Sequence, residues 1–239
     1  MNIAIIGYGK MGKTIEKIAI SRGHTISAIV DRDTEHSLDS LSNESTDVAI
    51  EFTNPKVAKD NLLLLAEKQI PVISGTTGWL DDYETVCNRI KDNNSALVYA
   101  SNFSVGVNVF FAVNKILASY MSKHDDYNVS VKEIHHIHKL DAPSGTAITI
   151  AEDIIEKLPH KSSWVNDSTD SKDVLSILSE REGEVPGTHQ ISYHSTIDSI
   201  TISHEAHSRQ GFALGAVIAA EWLNGKQGIY TMQDVLGIH

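Results

Sequence analysis

The sequence predicts an α/β protein in two parts: a doubly wound parallel sheet at the N-terminus, and an α+β part with a mixed or antiparallel sheet. Three observations predict it. A short apolar run, Asn2-Ile3-Ala4-Ile5-Ile6, leads at once into a glycine turn and a helix-like segment. Apolar runs then alternate with helical ones as far as residue 104, the pattern of parallel strands joined by crossover helices. Beyond residue 120 the period shortens to two over 127–134, 188–195 and 199–205, the mark of strands with one buried face. A chain of 239 residues is long enough for both parts.

Ile3 to Ile6 reads as a strand buried on both faces, because it is apolar throughout. Gly7-Tyr8-Gly9-Lys10-Met11-Gly12 follows as G-x-G-x-x-G, with a helix over 10–21 and a second strand over 25–30 that ends at Asp31. In such a unit the first glycine makes the tight turn, the second lets the backbone approach a pyrophosphate, and the third lets helix pack on strand. Asp31, 24 residues after Gly7, is placed to accept hydrogen bonds from ribose hydroxyls, and Arg32 beside it can accommodate a 2′-phosphate. The unit is Rossmann-type. Gly7, Tyr8, Gly9, Lys10, Met11, Gly12, Asp31 and Arg32 are its candidate dinucleotide residues, for NAD or NADP; a tight turn without a ligand is the other reading.

Residues 33–46 are polar and read as loop, and 47–52 as a third strand. Pro55 opens a helix to about Lys68, and 70–74 makes a fourth strand leading into Gly75-Thr76-Thr77-Gly78. A helix over 81–92 and a strand over 96–99 lead to Ala100-Ser101-Asn102-Phe103-Ser104. Ligands of open parallel sheets sit beyond the carboxyl ends of the strands, so both loops can approach a cofactor, with ordinary turn chemistry as the alternative. The first domain is expected over 1–104, completed by 212–239, and a second over 105–211.

Val105 to Met121 is apolar at helical spacing and carries the chain out of the first domain. Residues 127–134 alternate, with Val129 and Val131 on one face, and deliver Glu133-Ile134-His135-His136-Ile137-His138-Lys139. Ser144 suits the N-cap of a helix continuing to Lys157, with Glu152 and Asp153 expected toward solvent. Residues 159–187 are rich in Ser, Asp, Glu and Gly and read as an exposed excursion. The strands 188–195 and 199–205 follow, then a largely buried helix over 211–223 whose small residues permit close packing. The segment 230–236 is expected to return to the first domain.

The formal net charge of −11 argues against general binding to nucleic acid or to anionic membrane. Cys87 is the only cysteine, which excludes an intrachain disulfide and fits a reducing compartment. No apolar stretch reaches the ~18–20 residues of a membrane span. The N-terminus carries no signal-peptide pattern, so a cytoplasmic protein is expected.

Four readings compete for the histidines. A metal site needs convergent ligands, whereas 135, 136 and 138 alternate faces on an extended strand, and no H-E-x-x-H helix is present. No metal is expected. Serine hydrolysis is weaker, because Ser144 lies in P-S-G-T and not in a G-x-S-x-G elbow. Surface histidines on a loop are the third reading. The fourth joins both parts: a cofactor domain supplies hydride, and the second presents imidazole, ammonium and the amides of Gly145 and Thr146 to a small acid.

The stretch from Glu133 to Lys139, with Asp141-Ala142-Pro143-Ser144-Gly145-Thr146-Ala147, resembles the signature of the dihydrodipicolinate (4-hydroxy-tetrahydrodipicolinate) reductase family. Gly75 to Gly78, Ser101 to Asn108, Pro186-Gly187-Thr188-His189 and the segments from Trp222 to Lys226 and Asp234 to Leu236 extend the likeness over essentially the whole chain. The resemblance implies reduction of a cyclic dicarboxylate in lysine and diaminopimelate biosynthesis with NADH or NADPH, releasing water, in a homotetramer. It assigns His135 as general acid/base, Lys139 as proton donor, His136 as a substrate contact, and Gly145 and Thr146 to the turn that receives a carboxylate, at the anion-binding helix end that Ser144 opens. It assigns Gly75, Thr76, Thr77, Ala100, Ser101, Asn102 and Phe103 to the cofactor. Two departures stand out: many relatives have a longer glycine turn, and Ile137 stands where an arginine often occurs. A non-catalytic dinucleotide sensor on the same fold, or a dehydrogenase of another small acid, are the alternatives.

Overall fold

The computed structural model describes every residue except 33, 35, 209 and 239. The chain forms two compact units, Met1–Val105 with Gln210–His239, and Gly106–Arg209.

In the first unit, β1 (Asn2–Ile6), α1 (Lys10–Ser21), β2 (Thr25–Val30), β3 (Val48–Glu51), α2 (Pro55–Glu67), β4 (Val72–Ser74), α3 (Tyr83–Asp92) and β5 (Ala96–Tyr99) succeed one another. Two 3-10 turns, Leu38–Ser40 and Leu80–Asp82, interrupt the loops; 33 and 35 of the expected loop lie outside the described residues. Ile3, Ile5, Val48, Ile50 and Ile73 point to the face covered by α1, while Ala4, Ile6, Ala49 and Val72 point to the face covered by α2 and α3. Alternate residues of one short apolar strand thus fill two cores, which is why these strands are apolar throughout.

The second unit begins along α4 (Val105–Met121) and continues through β6 (Asn128–His135), α5 (Gly145–Lys157), β7 (Ser163–Val165), β8 (Val174–Arg181), β9 (Gly187–His194) and β10 (Ser199–Ala206). The chain re-enters the first unit through α6 (Gln210–Leu223), β11 (Gly228–Tyr230) and α7 (Met232–Leu236). The first sheet has the order β11-β5-β4-β3-β1-β2 and is parallel throughout. The second has the order β10-β9-β6-β8-β7, antiparallel on the β9 side of β6 and parallel on the β8 side. This is a Rossmann-type sheet plus an α+β unit with a mixed sheet. In the second core, Val129, Val131, Leu175, Ile177 and Ile191 meet Ala147, Ile150 and Ile154 of α5.

Two expectations are corrected. Residues 159–187 are not an exposed excursion: they hold β7 and β8, and Leu175 and Ile177 of β8 are fully buried beside β6. Asp153 faces inward, with Lys115 of α4 at 3.1 Å as its partner. Burial pushes its carboxyl pKa up, more than Lys115 lowers it. The segment after α6 returns to the first unit, as expected, and there adds a sixth strand, β11, paired with β5.

Candidate active site

The turn between β1 and α1 is built on steric necessity. A Cβ on Gly7, whose φ is +91°, would fall 2.2 Å from the carbonyl oxygen of Phe52, and one on Gly12 would fall 2.2 Å from that of Gly7. Gly9, by contrast, is the N-cap of α1, has open space around its Cα, and provides no side-chain cap. The first-turn amides are therefore left without a side-chain acceptor, as a pyrophosphate site requires.

A groove of about 500 Å³ runs past Gly7, Gly9, Asp31, Arg32, Phe52, Thr53 and Asn54. An adjoining groove is lined by Lys10, Met11, Gly75, Thr76 and Thr77. Asp31 Oδ2 accepts the Tyr8 amide at 2.5 Å, and this bond, with that from the Arg32 amide, holds the carboxyl below its ordinary range. The ionised acid thus stands against the glycine turn. Tyr8 directs its hydroxyl to Glu16 of α1, and Gly12 is buried under the turn. The residues fit a dinucleotide.

Of the loop after β5, Phe103 is buried and packs on Phe52 with ring centroids 5.8 Å apart, and the Asn102 side chain accepts the Ser104 amide at 2.9 Å. Ala100 and Ser101 lie at the carboxyl end of the strand. Sequence reasoning missed Glu51, a carboxylate without exposed surface at the end of β3. It accepts Thr76 Oγ1 at 2.8 Å and Ser74 Oγ at 2.9 Å, and Thr53 as well, so it fastens together two loops lining these grooves.

In the second unit, β6 buries every second side chain, so Val129, Val131, Glu133 and His135 share the inward face. That face is apolar at its start and polar at its end. Cross-strand register places Ser179 of β8 and His189 of β9 on either side of Glu133, and His204 of β10 next to His189. Glu133, without exposed surface, accepts the Ser144 amide at 3.0 Å and Ser179 Oγ at 2.7 Å. His135 Nε2 lies 3.2 Å and His189 Nε2 3.6 Å from its Oε2. Burial alone would raise this carboxyl's pKa, but the donors around it outweigh burial and hold it far below the usual range. His189 goes the other way: burial pushes its pKa down, more than Glu133 raises it, and it is neutral at pH 7.

Beyond His135 the strand ends and the chain turns, with the Ile137 amide on Gly183 O and the Lys139 amide on His136 O. The three histidines therefore separate. His135 is buried on Glu133, His136 is half-buried with its Nδ1 enclosed, and His138 is exposed beside Glu184. Lys139 Nζ donates to both oxygens of Asp141, at 2.9 and 2.7 Å, and holds that carboxyl below its ordinary range. Arg181, at the end of β8, donates to Asp141 O at 2.6 Å and Lys139 O at 3.3 Å, and its guanidinium is 3.9 Å from Glu133. A cation thus reaches this loop from β8 although Ile137 supplies none. Ser144 caps α5 by accepting the Ala147 amide at 3.1 Å, and no acidic residue opposes an anion in the first turn, where Gly145 and Thr146 lie.

Glu133, His135 and His189 bring one oxygen and two nitrogens within 4.8 Å of one another, the donor types of a transition-metal site. The carboxylate is already engaged by Ser144 and Ser179, and Arg181 stands behind it. The charge balance fits an acid–base cluster better than a cation site.

Family models for the N-terminus and C-terminus of dihydrodipicolinate reductase match residues 1–103 and 106–236. A 4-hydroxy-tetrahydrodipicolinate reductase of Christiangramia forsetii is 52% identical over 236 residues, covering 99% of this chain and 98% of its own. One from Neisseria gonorrhoeae is 38% identical, over 81% of this chain and 74% of its own. Dipicolinate-bound dihydrodipicolinate reductase from Paenisporosarcina sp. TG-14 shares the fold, with a TM-score of 0.79 over 98% of each chain at 23% identity. The chain belongs to the 4-hydroxy-tetrahydrodipicolinate reductase family, NAD(P)H-dependent oxidoreductases of diaminopimelate and lysine biosynthesis.

Proposed function

We propose that this chain reduces 4-hydroxy-tetrahydrodipicolinate with His135 as general acid/base and Lys139 as proton donor. The observation that carries these roles is the buried Glu133–His135 pair at the end of β6, beside the cap of α5 and the loop that bears Lys139. NAD(P)H, when bound, supplies a hydride to a carbon made electrophilic by the unsaturated imine left as water departs. The chain's part is to hold the dicarboxylate and to move protons. Lys139, paired with Asp141, can exchange that carboxylate for one of the substrate's. Ser144, Gly145 and Thr146 receive a carboxylate at the start of α5, and His136 contacts the substrate. His135 or Lys139 delivers the proton that neutralises the developing charge.

On the first unit we assign Gly7, Tyr8, Gly9, Lys10, Met11, Gly12, Asp31 and Arg32 to the dinucleotide's phosphates and ribose. Gly75, Thr76, Thr77 and Ala100 to Phe103 approach its nicotinamide. Asp31 suits NADH and Arg32 suits NADPH, so both cofactors serve; equal turnover with the two would bear this out, and inactivity with either would refute it. The apolar side chains Ile197 and Ile200, exposed around the β9–β10 hairpin, support a homotetramer, measurable by light scattering. The biosynthetic family and the lone Cys87 support a cytoplasmic setting, which cell fractionation tests.

The deciding assay follows loss of reduced-nicotinamide absorbance with freshly generated substrate. Lys139→Ala is expected to lower turnover by roughly a hundredfold or more, while NADH affinity, read by fluorescence, stays within about twofold. Near-normal turnover in Lys139→Ala would remove Lys139 from the mechanism.

A further inference from the structure

We propose that His189 is a positioning residue for the reduction: wedged against Glu133, it holds that carboxylate on His135 and ties His135 to the cap of α5. The inference rests on the proposed role of His135. Two residues before Glu133 along β6, the cross-strand row is wholly apolar, Val131 lying between Ile177 and Ile191. At Glu133 the equivalent row becomes Ser179, Glu133 and His189. Apolar side chains fill such a row in the adjacent layer, so packing alone does not call for an imidazole, and a buried polar group costs free energy unless its partners are satisfied.

The contacts of His189 show what it does there. Its Nε2 lies 3.3 Å from Ser144 Oγ and 3.6 Å from Glu133 Oε2, while its Nδ1 is buried without a partner among the described residues. A buried donor left unpaired costs more than a buried acceptor left unpaired, so the proton belongs on Nε2, directed between the serine and the carboxylate. Ser144 meanwhile donates its own amide to Glu133 and caps α5. His189, Ser144 and Glu133 therefore close a ring of contacts in which no member can shift alone. His135 stands on the open side of that ring, its imidazole 5.2 Å from that of His189. It is also pressed on Gly187, where an added Cβ would come within 3.0 Å of the ring. The ring of contacts fixes Oε2 3.2 Å from His135 Nε2, close to it but not aligned as a hydrogen bond, and Gly187 restrains the imidazole.

The charged and titratable groups facing this cluster come from every neighbouring element. Glu133 and His135 lie on β6, Arg181 on β8, His204 on β10, and Lys139 with Asp141 on the loop before α5. Burial and the adjacent His189 both lower the pKa of His204. It and His189 are thus neutral near pH 7, and the row presents a single carboxylate to His135.

The test compares His189→Leu with His189→Gln, whose amide restores a donor near Nε2. His189→Leu is expected to lower kcat at least about tenfold with KM for the dicarboxylate within about twofold, to displace the pH profile of kcat, and to leave NADH affinity unchanged. His189→Gln should recover much of the loss. Nitrogen-15 signals of the His135 ring, assigned with His135→Gln, should report one tautomer in the native protein and a mixture in His189→Leu. Thermal melting identifies folded variants. Native kcat, pH profile and ring signals in folded His189→Leu would overturn the proposal, as would stoichiometric zinc in the purified protein that His189→Leu loses. If His135→Gln itself keeps full turnover, the role of His135 fails instead, and the ring signals still decide whether His189 orients it.

Discussion

A carboxylate with no exposed surface is costly, and Glu133 exists as one because the chain arranges four donors around it. Two come from sequence neighbours across a turn or along the strand, Ser144 and His135. Two come from other strands, Ser179 and His189. Glu133→Ala would strand the Ser144 amide and take from His135 and His189 the carboxylate they face, and is expected to lower unfolding free energy by roughly 3–5 kcal/mol, measured by urea denaturation at neutral pH. Glu133→Gln keeps one carbonyl acceptor and should lose less. Equal losses in the two variants would mean that the charge of the carboxylate, and neither its volume nor one remaining acceptor, matters at this position. The local half of this arrangement was legible in the sequence, since Ser144 announces an N-cap and the histidines stand in one motif. The other half was not, because Ser179 and His189 reach Glu133 through strand register, which no short motif encodes.

The same limit governs whole elements. The strands β1 and β3 to β5 were readable because each is a compact apolar run bounded by turn residues, and α1 because a glycine turn precedes it. β8 was not, since its sequence Val-Leu-Ser-Ile-Leu-Ser-Glu-Arg breaks strict alternation and lies within polar flanks. Its burial comes from lying between β6 and β7, a tertiary fact that overrides local composition. α6 was readable in a finer sense, because its small residues imply close approach. A Cβ on Gly215 would fall 1.7 Å from the carbonyl oxygen of Phe103, so α6 packs directly on the loop after β5. Gly215→Ala should therefore cost on the order of 1–3 kcal/mol or more by overpacking, and should weaken NADH binding by shifting Ala100 to Phe103. Calorimetry and a fluorescence titration read the two effects. A variant that melts and binds like the native chain would show that the backbone yields there without consequence.

At the scale of the whole molecule, the two units differ in what their interiors hold. Around the first sheet the buried carboxylate Glu51 is met by hydroxyls and an amide, whereas the second sheet buries histidines beside a carboxylate. The division into a sheet of wholly apolar strands and one of alternating strands follows from hydrophobic period, but this contrast depends on which side chains the register buries. It has a consequence with a definite sign. His189 and His204 have pKa values lowered in the fold below the ~6.5 of an unfolded chain. As pH falls through that value the unfolded chain binds more protons than the folded one, so stability that is full above ~6.5 drains away with acid. Glu133, depressed in the fold, adds a further loss below the unfolded carboxyl value of ~4.3, while Asp153, raised by burial, acts oppositely there. Between about pH 7.5 and 5.5 the histidines decide. Hydrogen-exchange protection factors of β6 and β9 should fall over that interval more than those of β1 and β3, and His189→Gln should shrink the difference. Parallel losses in both sheets, or a difference untouched by His189→Gln, would show that these histidines do not set the acid limit of the second unit.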